Sequence, residues 1–298
     1  MGTMEPNNNK NDIINTFKDK GYFFPIDLFS DSHGFYYKKY IDSVAQIKAS
    51  SLKFEHKFKS HLIFKWVNDL MRDDRILSIV KPILGNDILC WNSIFFYKPK
   101  NTEYFVGWHE DKTYWKLKNN NIVTVSIALS DSNPENGCLK IIKEKLSNIS
   151  YSTKQPKFNM LARGQNAIID NNSEFEHVTL KKGQCAIFGQ ETVHGSGPNR
   201  SNNDRLLLAF RYITPENFTE MNHKSASLVS GDDKYNLYEK EPVPNKDFQK
   251  NCVEFHQKLM GKQARVFGKD KLNKFKLSFL SPILKFGLVR GFYYNYFK

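Results

Sequence analysis

Residues 85–129, GNDILCWNSIFFYKPKNTEYFVGWHEDKTYWKLKNNNIVTVSIAL, decide how the chain folds. Before Gly85 the apolar positions recur at helical spacing, as in Leu62, Trp66 and Leu70, then Ile76, Leu77 and Val80, so much of 35–82 is expected to be helical. From Gly85 the period shortens. Ile88 to Tyr97, Tyr104 to Trp108 and Ile122 to Leu129 are strand-length runs of branched and aromatic residues bounded by Gly, Pro, Asn and Asp. The rhythm continues through Cys138 to Ile142, Glu176 to Leu180, Gln184 to Phe188 and Leu206 to Ile213. Many short strands joined by polar turns predict a sandwich or jelly roll with flanking helices, and argue against βαβ units.

Outside these runs, Asp12 to Lys20 reads as a short helix ending at Gly21, and Tyr22-Phe23-Phe24-Pro25 as an apolar segment stopped by its proline. Ser147 to Asn172 is weakly patterned, a long insertion of the kind that carries substrate contacts. After Pro215 the chain reads as irregular and polar, then helical around Asn251 to Lys262. No internal repeat is visible. No apolar stretch is long enough to span a bilayer.

The chain has 298 residues, 40% hydrophobic and 14% aromatic, enough to bury a substantial core in one large domain. Its formal charge of +13 suits an anionic partner. The lysines are scattered, and no Arg-rich arm, zinc-finger spacing or RNA-binding aromatic motif accompanies them, which argues against nucleic acid. Cys90, Cys138, Cys185 and Cys252 form no CxxC pair and read as reduced core thiols of a cytoplasmic protein. The first residues, MGTMEPNNNKND, lack an apolar signal region, and Pro6 stands where a myristoylation site would want Ser or Thr.

The chemistry is carried by Trp108-His109-Glu110-Asp111-Lys112-Thr113-Tyr114-Trp115. On an extended strand His109 and Asp111 point to one face, so an imidazole and a carboxylate converge. With a second imidazole they form a two-His, one-carboxylate facial triad that leaves metal positions open for an oxidant and a co-substrate. The second imidazole is His194, which heads HGSGPNRSNNDRLLLAFRY, residues 194–212. A jelly roll can bring strands this far apart in sequence to one mouth. Taken singly, His109 reads as an ordinary strand histidine and Arg205 as a surface ion-pairing residue. Order and spacing together favour the site.

Four pieces in order, Asp69 to Gly85, WHEDKTYW at 108–115, ALSDSNPENGCLKII at 128–142 and the 194–212 stretch, make residues 65–213 resemble the phytanoyl-CoA dioxygenase family. The resemblance implies a double-stranded β-helix (jelly roll, cupin-like) and an iron(II)/2-oxoglutarate-dependent oxygenase. It implies iron(II) on the positions matching His109, Asp111 and His194, with O2 and 2-oxoglutarate as co-substrates, and 2-oxoglutarate held through the matching Arg205. The residues agree with that last role, because a planar guanidinium offers paired donors to a carboxylate. Ser196, two residues past His194, faces the same side and can donate to the same group. Asn92, Ser126 and Trp115 occupy places similar to other co-substrate contacts in the family.

Arg211 reads equally as support for the co-substrate and as a structural ion pair. Trp108 reads as a core aromatic and Asn136-Gly137 as a tight turn. Where many relatives continue the 138–142 strand into Gly-Ser-His, this chain has Lys143-Glu144-Lys145, so substrate class is not carried over from that loop. The expected organisation is one oxygenase domain, 1–298, with a helical part at about 12–84, a jelly-roll core at about 85–215 and an extension at 216–298.

The expected reaction is hydroxylation of an unactivated C–H bond of a small-molecule or carrier-linked substrate, with release of succinate and CO2. Related family chemistries, halogenation, desaturation and cyclisation, are the alternatives; Asp111 stands against halogenation, since halogenases replace that carboxylate to admit a halide. A second class of reading is a non-catalytic jelly-roll binding protein. The basic aromatic tail from Lys271 to Lys298 is interrupted by Pro282, Gly287 and Gly291 and so fits poorly as a membrane helix. It is read as packing on the domain or on a second subunit, ahead of a peripheral membrane contact. Oligomeric state is not legible.

Overall fold

The computed structural model describes residues 10–29, 55–115, 117–152, 156–161, 166–219 and 224–272. A first helix, α1 (Lys10–Lys20), ends at Gly21, whose φ of 85° suits a residue without a Cβ. It leads into β1 (Tyr22–Asp27). Pro25 does not stop this segment, contrary to expectation. β1 lies at a sheet edge and its pairing shifts register between Phe23 and Ile26, so a residue with no N–H is tolerated there.

Of the stretch expected to be helical, 35–54 lies outside the described residues. The remainder forms two short 3-10 turns, α2 (Lys65–Leu70) and α3 (Asp74–Leu84). Asp73 caps α3 by accepting the Arg75 N–H at 3.0 Å.

Next come β2 (Ile88–Lys98), β3 (Val106–His109), the single turn α4 (Lys112–Trp115), β4 (Ile122–Ala128) and β5 (Leu139–Ile142). The insertion folds back as a two-residue ladder between β6 (Tyr151–Ser152) and β7 (Asn166–Ala167). Then follow β8 (Phe175–Val178), β9 (Gln184–Phe188), β10 (His194–Ser196) and β11 (Arg205–Ile213). The region after Pro215, read as irregular, holds two further strands, β12 (Ser225–Ser230) and β13 (Glu239–Lys240), before α5 (Lys250–Leu272). No helix among the described residues is long and apolar enough to cross a membrane.

Two sheets result, one ordered β1-β9-β4-β11-β2-β12-β13 and one ordered β3-β10-β5-β8. β11 shows how alternation distributes its nine buried residues. Leu206, Leu208, Phe210 and Tyr212 face outward and pack with Ile76 and Val80 of α3 and Trp66, Val67 and Leu70 of α2. Leu207 faces inward and meets Ile141 and Val178 from the smaller sheet, with Leu180 just beyond β8. This is a two-sheet jelly roll with a helical layer on one outer face. Arg205 and Arg211 share the inward parity.

A fully buried polar cluster ties the ends of this frame together. Lys59, in the left-handed region at φ 50°, donates to the Trp91 carbonyl at 2.5 Å, the Ser225 carbonyl at 2.8 Å and Glu241 at 2.5 Å. Glu241 also accepts from His61 Nε2, Ser225 and Ser227, each at 2.7 Å. Every polar group in the cluster is satisfied, which is what makes such burial tolerable.

Candidate functional site

His109 and His194 are Cα partners on neighbouring antiparallel strands, so their rings meet at a centroid distance of 4.2 Å. Close approach of β10 to β3 needs Gly195, where a Cβ would lie 2.9 Å from the Val106 carbonyl. Asp111 arrives differently from the expected same-face strand alternation. β3 ends at His109, and the Asp111 carbonyl accepts the Trp115 N–H at 3.2 Å to begin the α4 turn. The turn swings the carboxylate back toward the rings. One ligand atom from each of His109, Asp111 and His194 lies within 4.8 Å of the others, and all three residues are buried.

Both rings are held in one orientation by backbone carbonyls. His109 Nδ1 is 3.0 Å from the Gly107 carbonyl and His194 Nδ1 is 2.8 Å from that of Thr192. A carbonyl can only accept, so each Nδ1 carries the proton and each Nε2 presents its lone pair. Burial, followed by the neighbouring His194, holds His109 well below the ordinary imidazole range and keeps it neutral, the form that ligates a metal. Asp111 Oδ2 has no hydrogen-bond partner, with Arg211 Nη2 3.7 Å away. Two neutral imidazoles and a carboxylate with a spare oxygen fit a divalent transition-metal ion.

Arg205 is the second feature that fits an absent group. Its side chain is 3% exposed and makes no hydrogen bond or ion pair among the described residues, and its Nε is buried without a partner. Burial pushes the guanidinium down to about 10. A buried cation left bare in this way suits an incoming carboxylate. Ser196 sits with it on the inner side, at the end of β10.

The remaining expected contacts lie farther along the inner face. Asn92 and Thr124 are the cross-strand partners of Arg211, and Asn92 Oδ1, Thr124 Oγ1 and Arg211 Nε all lack partners. Ser126 stands opposite Ala209 in the same row. Trp115 lies beneath the Arg211 guanidinium at 4.5 Å and stacks edge-on with Trp91. Trp108 is half-buried and packs against Ile142, Ala167 and Val193, at the margin of the core rather than within it as expected. Gly137, at φ 73°, takes the turn expected of it.

Two sets of residues near the site were not anticipated. Glu110, between the two ligands in sequence, is 3% exposed and accepts from Tyr151 Oη at 2.5 Å, while Thr113 donates to that same Oη at 3.0 Å. The insertion is thereby pinned to the segment bearing His109 and Asp111. The other is Lys98, 1% exposed, whose ammonium lies 2.8 Å from Ser196 Oγ. A lysine followed by proline at a strand end gives no local sign of burial; only the pairing of Lys98 with Arg205 across β2 and β11 does.

Comparison with known proteins bears on the family and the fold. The model of the phytanoyl-CoA dioxygenase family matches residues 38–207. A protein of Stutzerimonas stutzeri described as "Probable alpha-ketoglutarate-dependent hypophosphite dioxygenase" is 26% identical over 163 residues, covering 52% of this chain and 56% of that protein. The ectoine dioxygenase of Streptomyces avermitilis is 30% identical over 174 residues, covering 53% of this chain and 59% of its own length. The chain thus spans little more than half the length of the curated relatives it matches. Among solved structures, the apo non-heme monooxygenase ThoJ superposes with a TM-score of 0.70 at 23% identity, covering 88% of this chain and all of that one. CytC3 with Fe(II) and alpha-ketoglutarate does so with a TM-score of 0.59 at 19% identity, covering 83% and 96%. The fold is therefore the double-stranded β-helix that the family resemblance implies.

Proposed function

The chain belongs to the phytanoyl-CoA dioxygenase family, and on that premise we propose that it is an iron(II)- and 2-oxoglutarate-dependent dioxygenase hydroxylating an unactivated C–H bond. The observation that carries this reading is the buried His109, Asp111 and His194 cluster on the same inner face as the partnerless Arg205. When bound there, iron(II) would supply oxidative decarboxylation of 2-oxoglutarate by O2, giving succinate and CO2 and leaving one oxygen atom for the substrate.

The chain's own residues do the rest. His109 and His194 bind through Nε2 because their Nδ1 protons are committed to carbonyls. Asp111 fills the ligand position that a halide would need, which favours oxygen transfer over halogenation. Arg205 and Ser196 hold the far carboxylate of 2-oxoglutarate, and Arg211, Asn92, Ser126 and Trp115 line the approach to its chelating end. Phe188, packed 4.8 Å from the His194 ring, helps to exclude water.

The substrate is a small or carrier-linked molecule, and the formal charge of +13 favours an anionic one. The four free, buried cysteines suit a cytoplasmic location. Residues 1–298 are read as one such domain. The aromatic tail at 271–298, which from residue 273 on lies outside the described residues, is assigned to packing on the domain or a second subunit rather than to a membrane surface.

The test is iron-dependent release of CO2 from 2-oxoglutarate, followed by substrate-dependent succinate formation across acyl thioesters, amino acids, small phosphonates and natural-product scaffolds. Absence of both, with iron bound, would favour a binding protein. Arg205→Ala is expected to raise the 2-oxoglutarate requirement by tens to a hundredfold, about 2–3 kcal/mol for a charge-assisted bidentate contact, with iron affinity little changed. An unaltered requirement would move the role to Arg211.

A further inference from the structure

Resting on that reading of the site, we propose that Tyr151 is a positioning residue for the metal ligand Asp111, and that metal binding in return orders the β6–β7 ladder. The three ligands are held in different ways. His109 and His194 are each fixed by a bond from Nδ1 to a backbone carbonyl, whereas Asp111 Oδ2 accepts no hydrogen bond and Arg211 Nη2 stands 3.7 Å off. The direction of this carboxylate therefore rests on the backbone around it. That backbone is α4, a single turn closed by the Trp115 N–H on the Asp111 carbonyl at 3.2 Å. A turn this short is marginal by itself, because several residues are ordered for one bond.

Tyr151 supports the turn from both sides of the ligand. Its Oη donates to Glu110 Oε2 at 2.5 Å, one residue before Asp111, and accepts from Thr113 Oγ1 at 3.0 Å, two residues after it. The phenol has one proton and gives it to Glu110, while the Thr113 proton goes to the phenol, so both bonds have a fixed direction. One oxygen thus clasps residues 110 and 113 and encloses Asp111 between them. Glu110 is 3% exposed, so its carboxyl group bonds to protein rather than to water. The tyrosine is itself placed by packing. Its ring joins Leu146 and Ile149 on the apolar cluster of Ile142, Ala167 and Val193, and its backbone pairs with Ala167. The Lys112 N–H also holds the turn by donating to the Gln190 carbonyl at 3.1 Å. Loss of the phenol therefore loosens Asp111 without releasing it.

Thermodynamic linkage makes the effect reciprocal. Whatever free energy the clasp contributes to metal binding, a bound metal returns to the clasp, and so to the strand that carries Tyr151. β6 and β7 are two residues each, and a ladder of that size has little stability of its own. The segment expected to carry substrate contacts is thus firmest once the metal is in place.

The test is titration of the full metal-free chain with Mn(II), followed by electron paramagnetic resonance, together with hydrogen exchange at the β6–β7 ladder. Tyr151→Phe keeps the ring and removes both bonds, and is expected to weaken Mn(II) roughly tenfold. Glu110→Ala should do the same, and the double variant should be little weaker than either alone. Glu110→Gln still offers a carbonyl oxygen to the phenol and should restore most of the affinity. Mn(II) should slow exchange at the ladder in the wild type and have little effect on it in Tyr151→Phe. Unchanged Mn(II) affinity in Tyr151→Phe would reduce the phenol to a packing role and overturn the proposal. A Glu110→Gln variant as weak as Glu110→Ala would assign the effect to charge and overturn it equally, and exchange indifferent to Mn(II) in the wild type would overturn the reciprocal half. Should Tyr151→Phe fail to fold, Thr113→Val carries the test: it must weaken Mn(II), and wild-type affinity overturns the proposal. If the wild type itself binds no Mn(II), the assignment of the triad fails; if it binds and Tyr151→Phe matches it, only the role of Tyr151 does.

Discussion

Alanine at His109, Asp111 or His194 is expected to lower turnover by on the order of a thousandfold or more, equivalent to about 4 kcal/mol of barrier, while leaving the fold intact. Each residue offers one of three ligand atoms that lie within 4.8 Å of one another, and nothing else in that cluster can substitute. None of the three belongs to the apolar clusters that hold the sheets together. Thermal unfolding should therefore stay near wild type while bound iron, measured by metal analysis, falls along with succinate formation. Near-normal activity in any one variant would overturn the assignment of the triad. Asp111→Gly is the more telling replacement, since it opens a metal position for halide yet should not by itself yield an efficient halogenase.

Glu241→Gln is expected to cost about 3–5 kcal/mol of folding stability, because it strands a buried ammonium without its counter-charge. The side chains of Lys59 and Glu241 are 8% and 0% exposed, so water does not compensate. Replacing both, as Lys59→Met with Glu241→Gln, should cost less than the single change. The pH dependence follows from the same contacts. Burial alone would raise the Glu241 carboxyl, but Lys59 and His61 more than offset it and hold it well below the usual range. A depressed carboxyl contributes stability that is present above its unfolded value of about 4.3 and is lost as pH falls toward the folded one. His61 acts in the same direction. Burial keeps it neutral in the fold, whereas the unfolded ring takes up a proton below about pH 6.5. Urea midpoints should thus fall steeply with acid in the wild type and less steeply below about pH 4.3 in Glu241→Gln. Identical midpoints and slopes would show that the cluster is energetically neutral.

What the sequence made legible was whatever rests on local period. β9 runs from Gln184 to Phe188 as the alternation predicts, and β11 differs from expectation only by the addition of Arg205. The convergence of His109 and His194 needed only the order of two strands. Elements whose cause is distant were misread. Ser225–Ser230 carries only Val229 of the branched and aromatic residues that announce a strand, and it forms one because β2 offers it an edge. Pro25 reads as a stop unless it is known that β1 lies at the edge of its sheet. Asp111 was placed among the ligands by strand alternation, but a helical turn delivers it. Lys98 is invisible without the pairing that buries it beside Arg205.

The division of β11 into two faces bears on how such a protein can change over time. The nine residues that present Arg205 and Arg211 to the reactants also present Leu206, Leu208, Phe210 and Tyr212 to the helices. A packing substitution on the outer side displaces the strand, and close-packed interiors transmit that displacement to both arginines. Selection for stability and selection for chemistry therefore act on one short segment, which leaves it little freedom to drift. The β6–β7 ladder is under no such double obligation. It is two residues long and reaches the His109–Asp111 segment through Tyr151, so its loops can be rewritten for new substrates while the machinery beneath them stays as it is.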